Sequence, residues 1–77
     1  MNMTIKYFGL LAEITQCSEE ELSISGTQIS DLLQHVVQKY PGLESKEFKI
    51  AMNHQIVDSD TPLSEGEVAF LPPFSGG

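Results

Sequence analysis

One stretch of this 77-residue chain repeats its apolar residues at helical spacing over three turns, and it limits the possible folds more than any other feature. The spacing predicts an amphipathic helix with one continuous apolar stripe, formed by Ile29, Leu32, Leu33, Val36, Val37 and Tyr40. Thr27 is the expected N-cap. Pro41 and Gly42 are expected to end the helix, because proline cannot continue the hydrogen-bond ladder and glycine readily adopts a left-handed exit. We expect this helix to cross one face of a sheet.

The segments before this helix have the patterns of short strands. Residues 3–8 alternate, and Phe8 falls on the face opposite to that of the first strand's main apolar set. Residues 10–14 are spaced for one or two turns of helix. Residues 19–25 carry apolar side chains two apart among polar ones, which predicts a half-buried strand antiparallel to the first.

The segments after the helix complete the predicted sheet. Residues 48–57 have the pattern of a hairpin with its turn at 53–55, and the nearly all-apolar run 68–71 is typical of a central strand. The order of elements predicts an α+β fold of the β-grasp, or ubiquitin-like, class, with a mixed four- to five-stranded sheet and one main helix across one face. We expect residues 1–71 to form this domain and residues 72–77 to form an extended C-terminal tail.

Charge and composition exclude several classes of partner. Eleven acidic residues against four lysines give a formal net charge of -7, which disfavours binding to nucleic acid and to anionic membranes. The sequence carries no pattern of a signal peptide and no apolar run of transmembrane length. Cys17 is the one cysteine, which excludes an internal disulfide and fits a reducing compartment. We therefore expect a cytoplasmic protein.

Few residues are arranged for catalysis. His35 and His54 are isolated, so the sequence predicts no metal site, and we find neither a Gly-rich phosphate loop nor a nucleophile with a paired base. Glu13 and the run Glu19-Glu20-Glu21 are interpreted as solvated charges that steer the protein toward basic partner surfaces.

The last six residues, Pro72-Pro73-Phe74-Ser75-Gly76-Gly77, offer the one evident reactive group, a backbone carboxylate on a diglycine. Glycines lack Cβ, so Gly76 and Gly77 can pass through a channel too narrow for other residues. Six extended residues reach at most roughly 20 Å, far enough to enter a partner's pocket. The tail is therefore predicted to deliver its terminus to another protein's active site.

The sequence resembles the small subunit of molybdopterin synthase over essentially its whole length. The resemblance rests on the opening segment 6–13, the segment 52–63, and the ending 66–77, of which Pro-Pro-Phe-Ser-Gly-Gly is the most specific part. Two departures concern details: members of that family often carry arginine where Ala12 stands, and often have an extra acidic residue between the equivalents of Gly66 and Val68. The first puts in doubt one salt bridge to the large subunit, and the second shortens a turn.

The resemblance implies a sulfur carrier in molybdenum cofactor biosynthesis that binds no cofactor itself. Gly77 would be adenylated by an activating enzyme that consumes ATP, converted to a thiocarboxylate by a sulfur donor protein, and inserted into the large synthase subunit. Two large and two small subunits would form the synthase, and the catalytic residues would lie on the large subunit.

The resemblance also implies how the partner is contacted. Phe8, Ile56 and Leu71 would form the exposed patch that docks the large subunit, although each could instead be an ordinary core residue. The inserted tail would comprise Pro72, Pro73, Phe74, Ser75, Gly76 and Gly77, with Phe74 as its anchor. The two prolines would stiffen the root of the tail and lower the cost of ordering it.

Three alternative functions share parts of this pattern. A thiamine-pathway sulfur carrier would have the same fold and diglycine, without, as a rule, the preceding Pro-Pro. A ubiquitin-like protein modifier would use the same activated glycine to form isopeptide bonds with lysines. A plain β-grasp interaction module would bind through its sheet edge and never react at its terminus.

Overall fold

The computed structural model describes residues 1–73 and shows a mixed five-stranded sheet with one main helix. The elements in chain order are β1 (Asn2–Tyr7), α1 (Leu10–Thr15), β2 (Glu19–Ser23), α2 (Ile29–Lys39), a short 3-10 helix (Pro41–Leu43), β3 (Lys49–Met52), β4 (Gln55–Val57) and β5 (Gly66–Leu71). The spatial order of the strands is β2-β1-β5-β3-β4. β1 and β5 run parallel at the centre, and the other neighbours are antiparallel. This arrangement confirms the predicted β-grasp fold and the central place of the last strand.

Helix α2 lies over one face of the sheet, and its apolar stripe packs into the core. Ile29, Leu32 and Val36 are fully buried. From the sheet, the alternating residues of β1 and β5 point toward the helix, as the two-residue period of a strand requires. The buried residues contributed by these two strands are Met3, Ile5, Tyr7, Val68 and Phe70. Among the described residues, 1–73, no helix covers the opposite side of the sheet, which is called the open face below.

The ends of α2 differ from the sequence prediction. Thr27 is not the N-cap: Gln28 occupies that position, and Asp31 accepts hydrogen bonds from the Thr27 and Gln28 amides at 2.9 and 3.0 Å. These two bonds hold the pKa of Asp31 below its ordinary value. Gly42 does not make a left-handed exit either, because the chain continues from Pro41 into a 3-10 turn whose φ angles are negative. Gln28 and Asp31 thus form a capping box in place of the expected Thr27 cap: the Gln28 side chain accepts from the Asp31 amide, and the Asp31 carboxylate accepts from the Gln28 amide.

The β3–β4 hairpin forms where it was predicted, although its turn is one residue shorter because Gln55 belongs to β4, and one side chain ties the hairpin to β5. Asn53 and His54 form the turn with φ of 50° and 71°, the left-handed values that a two-residue hairpin requires. The Asn53 side chain accepts a hydrogen bond from the Glu67 amide at 3.0 Å and donates to the Glu65 carbonyl at 3.2 Å. Gly66, with φ of 134°, has no room for a Cβ beside Asn53.

The helices are short. α1 has 6 residues and α2 has 11. Within residues 1–73, no helix has the length and apolar character needed to cross a membrane.

Candidate functional site

The root of the C-terminal tail leaves the sheet from its central strand. β1 and β5 are parallel with Tyr7 opposite Phe70, so both strands end at the same edge of the sheet. The Phe8 amide donates a hydrogen bond to the Phe70 carbonyl at 3.1 Å, which extends the pairing by one residue. Phe8 and Leu71 therefore lie side by side where the tail begins.

Gly9 lets the tail root pass close to the start of α1. Its φ of 58° and ψ of -134° lie in a region that only glycine adopts readily. A Cβ at Gly9 would stand 3.2 Å from Pro72 Cγ, which is tighter than ordinary van der Waals contact. The glycine thus sets the position of the first tail residue through its missing side chain.

The three residues predicted to dock a partner come together on the open face. Phe8, Ile56 and Leu71 line one shallow depression, and we call these three residues the patch. The side chains of Phe8 and Ile56 are 45% and 62% exposed, while Leu71 is partly buried. The competing interpretation, that these residues are ordinary core, is therefore wrong for Phe8 and Ile56.

Small side chains form the floor of the depression. Ala51 pairs with Ala69 across β3 and β5 and with Ile56 across β3 and β4, so all three point to the open face. An alanine presents no more than a methyl group, which leaves the larger side chains of the patch standing above the floor. The sequence prediction missed both alanines, because their facing positions depend on strand register.

Charges border the patch without filling it. Lys6 and Glu67 form a salt bridge at 3.2 Å, and both side chains are about one third exposed (35% and 32%). At that exposure an ion pair contributes little to the stability of the fold. The two side chains form a polar border to the depression.

A second polar cluster lies on the helix side of the sheet, with Glu20 at its centre. The sequence analysis interpreted Glu20 as a solvated charge, and that interpretation is wrong. Glu20 Oε2 accepts hydrogen bonds from the hydroxyls of Tyr7 and Tyr40, each at 2.7 Å, and Glu20 Oε1 lies 2.7 Å from Lys39 Nζ. Its side chain is only 16% exposed. Glu20 lies two residues from Leu22, on the same face of β2. The alternation of side chains along β2 could therefore have predicted that Glu20 faces the helix.

The cluster perturbs the ionisation of its members. Burial opposes the charge of Glu20, but the hydrogen bonds from Lys39, Tyr40 and Tyr7 outweigh it and hold the pKa of Glu20 below its ordinary 4.5. Burial, followed by the bonds to Glu20, raises the pKa of both tyrosines well above 10.0. The cluster joins β1, β2 and the end of α2, so its role is to fasten the helix to the sheet.

The described residues hold no candidate for a resident metal ion. Among residues 1–73 there is no group of three or more His, Cys, Asp and Glu side chains placed to hold one. Cys17 is half-buried, with its Sγ 3.9 Å from the Tyr40 hydroxyl. The predicted tail residues Phe74, Ser75, Gly76 and Gly77 lie outside the described residues.

Fold and site together define a β-grasp protein that carries a C-terminal segment beside an exposed apolar patch. The family model described as the ThiS family matches residues 5–77, and the chain belongs to that family.

Two curated relatives align with the chain over its full length. A protein of Mycobacterium tuberculosis is 34% identical over 84 residues, covering 100% of this chain and 99% of the relative. A protein of Chlamydomonas reinhardtii is 30% identical over 83 residues, covering 100% of both. Each is named molybdopterin synthase sulfur carrier subunit.

Solved structures agree on the fold. A putative molybdopterin converting factor subunit 1 from Pyrococcus furiosus matches with a TM-score of 0.88 at 22% identity, covering 96% of this chain and 99% of that chain. Small archaeal modifier protein 1 from Methanosarcina acetivorans matches with a TM-score of 0.78 at 27% identity, covering 99% and 96%. A complex of subunits 1 and 2 of molybdopterin-converting factor from Helicobacter pylori contains a chain that matches with a TM-score of 0.68 at 25% identity, covering 100% of each.

Proposed function

We propose that this protein is the sulfur-carrier subunit of a molybdopterin synthase. The observation that carries the proposal is the full-length alignment with curated relatives of that name, 34% identical in the first case with 100% and 99% of the two chains covered. An alignment of that extent includes the tail as well as the domain. The β-grasp fold and the patch beside the tail root support the same function.

The chemistry of the proposal centres on the carboxylate of Gly77. An α-carboxylate has a pKa of about 3.5, so it is ionised and unreactive toward nucleophiles at neutral pH. Attack of this carboxylate on ATP releases pyrophosphate and leaves a glycyl adenylate. A sulfur donor protein then supplies hydrosulfide, which attacks the acyl carbon, releases AMP and leaves a thiocarboxylate with no change in the oxidation state of the sulfur. Tethering the sulfur to a protein directs it to one acceptor.

The partners supply the catalytic groups, and this chain supplies binding and delivery. We assign the patch of Phe8, Ile56 and Leu71 as the docking surface for the large subunit. Its exposure and its place beside the tail root support that assignment. The structure from Helicobacter pylori, in which subunits 1 and 2 of molybdopterin-converting factor form a complex, is consistent with such a partner. We further propose a cytoplasmic complex of two large and two small subunits.

Mass spectrometry of the intact chain tests the activation step. Incubation with ATP, the activating enzyme and a sulfur donor is expected to raise the mass of the protein by the exchange of one oxygen for one sulfur at Gly77. A variant lacking Gly76 and Gly77 serves as control and should keep its mass. A full-length chain whose terminus stays unchanged under these conditions would rule out the carrier function.

A further inference from the structure

The depression on the open face is shaped by the contrast between its floor and its border. Ala51 and Ala69 form the floor, paired across β3 and β5. Paired side chains on neighbouring antiparallel strands have Cβ atoms about 5 Å apart, so the two methyl groups form one continuous floor. The other residues that line the depression all have larger side chains, namely Lys6, Phe8, His54, Ile56, Glu67 and Leu71. A side chain from outside can therefore enter between them.

The floor lies below the side chains of its border. Ala51 is 9% exposed, although no helix within residues 1–73 covers the open face. Ile56 pairs with it across β3 and β4 and is 62% exposed, and Phe8 is 45% exposed. Neighbouring side chains, rather than a second layer of the fold, therefore shield the floor from water. A flat partner surface would leave this space empty, and the atoms that line an empty space lose their van der Waals contacts.

The charges at the border favour an uncharged occupant. Lys6 and Glu67 form an ion pair with each other at 3.2 Å, and His54 lies in the hairpin turn, exposed to solvent. A charged side chain placed on the two methyl groups would lose its water and meet charges that are already paired. An apolar side chain gives up no hydrogen bond there and gains contact with apolar atoms. The depression thus suits a neutral side chain that is large enough to reach its floor.

The depression is continuous with the proposed docking surface. Phe8, Ile56 and Leu71, which form the patch, are also its apolar border. Phe8 and Leu71 lie where the tail begins, so a side chain inserted among the patch residues would hold the domain close to that point. Binding energy at interfaces is dominated by a few anchor side chains that fill desolvated pockets. The depression is therefore the part of the patch where such an anchor is expected.

We propose that Ala51 and Ala69 are specificity-determining residues for docking, because they leave room for one large apolar side chain of the large synthase subunit. That side chain has the size of leucine, methionine or phenylalanine. This inference rests on the proposed function, since it takes the patch as the docking surface. The partner then recognises the small volume of the two floor residues as well as the apolar patch. A chain with larger side chains at these two positions is rejected even when its patch is intact.

Filling the depression tests the proposal. Ala69→Leu and, separately, Ala51→Leu should each raise the Kd for the large subunit at least about tenfold in calorimetric titrations of the full-length chain, because the added side chain takes the place of the partner's. A flat contact predicts the opposite sign, since extra apolar area would tighten binding or leave it unchanged. Thr4→Leu is the matched control. It adds the same side chain to the open face of β1, outside the depression, and should leave Kd unchanged.

Truncation of the large subunit identifies the occupant. Its large apolar surface residues are replaced by alanine, one at a time. One of these truncations should weaken binding of the unaltered chain and restore binding of Ala69→Leu, because the space that it vacates accepts the added side chain. If no truncation restores binding of the variant, the occupant is not an apolar side chain and the proposal is wrong.

Failure of this proposal and failure of the proposed function give different results. If the unaltered chain binds the large subunit and transfers sulfur while Ala51→Leu and Ala69→Leu bind as tightly, the proposal is overturned and the proposed function stands. If the large subunit does not bind the unaltered chain, both are overturned.

Circular dichroism verifies that each variant is folded. If both floor variants unfold, nuclear Overhauser contacts in the complex of the unaltered chain with the large subunit decide the question. The methyl groups of Ala51 and Ala69 should then contact the same large apolar side chain of the large subunit. Contacts with charged side chains, or no contact at all, would contradict the proposal.

Discussion

Gly9 and Glu20 show how single residues hold the tail root and the helix in place. Gly9 has a backbone conformation that other residues adopt only with strain, and a Cβ added at this position would crowd Pro72, where the tail begins. Glu20 is the common acceptor of two tyrosine hydroxyls and the partner of Lys39. Neither residue takes part in chemistry, but each connects segments that lie far apart in the sequence.

Replacing Gly9 by alanine is expected to destabilise the fold and to displace the tail root. The substitution forces a φ of 58° on a residue with a Cβ and pushes that Cβ against Pro72 at 3.2 Å, so we expect a loss of about 1–2 kcal/mol in the free energy of unfolding. Denaturant titration measures the loss. Gly42→Ala is the control, because its added Cβ would meet Ile14 Cγ2 at a similar 3.1 Å while its backbone φ is ordinary, and its loss should be smaller. Equal losses at the two positions would contradict the role given to the Gly9 backbone.

Replacing Glu20 by glutamine is expected to weaken the link between α2 and the sheet. Hydrogen bonds to a charged group contribute more than neutral ones, so we expect a loss of roughly 2 kcal/mol in the free energy of unfolding. Glu19→Gln on the same strand is the matched control. Glu19 is exposed, and its substitution should change stability by no more than about 0.5 kcal/mol. A Glu20→Gln variant as stable as the Glu19 variant would show that the cluster contributes nothing.

The same cluster predicts how stability depends on pH. The folded pKa of Glu20 lies below 4.5, so its contribution is present above that pH and is lost as pH falls through the folded value. The folded pKa values of Tyr7 and Tyr40 lie above 10.0, so their contribution is present below pH 10.0 and declines as pH rises beyond it. The free energies of unfolding of the parent chain and of Tyr40→Phe, measured by denaturant titration, should therefore converge at high pH. A difference in the free energy of unfolding between the two chains that stays constant from neutral pH to above pH 10 would contradict this assignment.

Among the elements, the parallel pair β1 and β5 determines where the patch and the tail meet. Because Tyr7 stands opposite Phe70, the two following residues emerge together at the edge of the sheet. The hairpin of β3 and β4 then brings Ile56 to the same face through Ala51. The patch is thus assembled from three strands by register alone.

Introducing a charge into the patch should weaken binding to the large subunit. Ile56→Asp places a carboxylate where the proposed interface excludes water, and we expect at least about a tenfold increase in Kd, which corresponds to a loss of about 1.4 kcal/mol or more in binding free energy. Ser23→Asp on the exposed β2 strand adds the same charge at the other edge of the sheet and should leave Kd unchanged. Calorimetric titration of both variants measures this difference. Unchanged binding by Ile56→Asp would place the interface elsewhere.

Periodicity in the sequence predicted the elements well and the contacts between them poorly. The alternation in β1, the stripe of α2 and the apolar run of β5 predicted their burial, because each depends on spacing within one segment. Three other features depend on register between distant segments. These are the place of Ala51 and Ala69, the closeness of Gly9 to Pro72, and the Glu20 cluster. The N-terminal cap of α2 was also mispredicted: Gln28 and Asp31 form a capping box where the Thr27 hydroxyl was expected.

Considered as a whole, the molecule is a small domain in which the root of the C-terminal tail lies beside an exposed apolar patch on the open face of the sheet. The proposed function uses this patch for docking. Deleting Gly76 and Gly77 should leave binding through the patch largely intact while abolishing sulfur transfer. Sulfur transfer by the full-length chain, and its loss in this variant, separate a carrier from a plain binding module, which transfers no sulfur in either form.

Transfer of sulfur from Gly77 to the pterin precursor tests the proposed function most directly. Thiocarboxylated protein mixed with the large synthase subunit and the cyclic pterin precursor should return to its original mass while dithiolene forms, with one thiocarboxylate consumed per sulfur delivered. Release of sulfur to thiamine synthesis, or attachment of Gly77 to lysines, would leave the pterin unchanged. A thiocarboxylate that persists in the presence of the large subunit and precursor would contradict the proposed function.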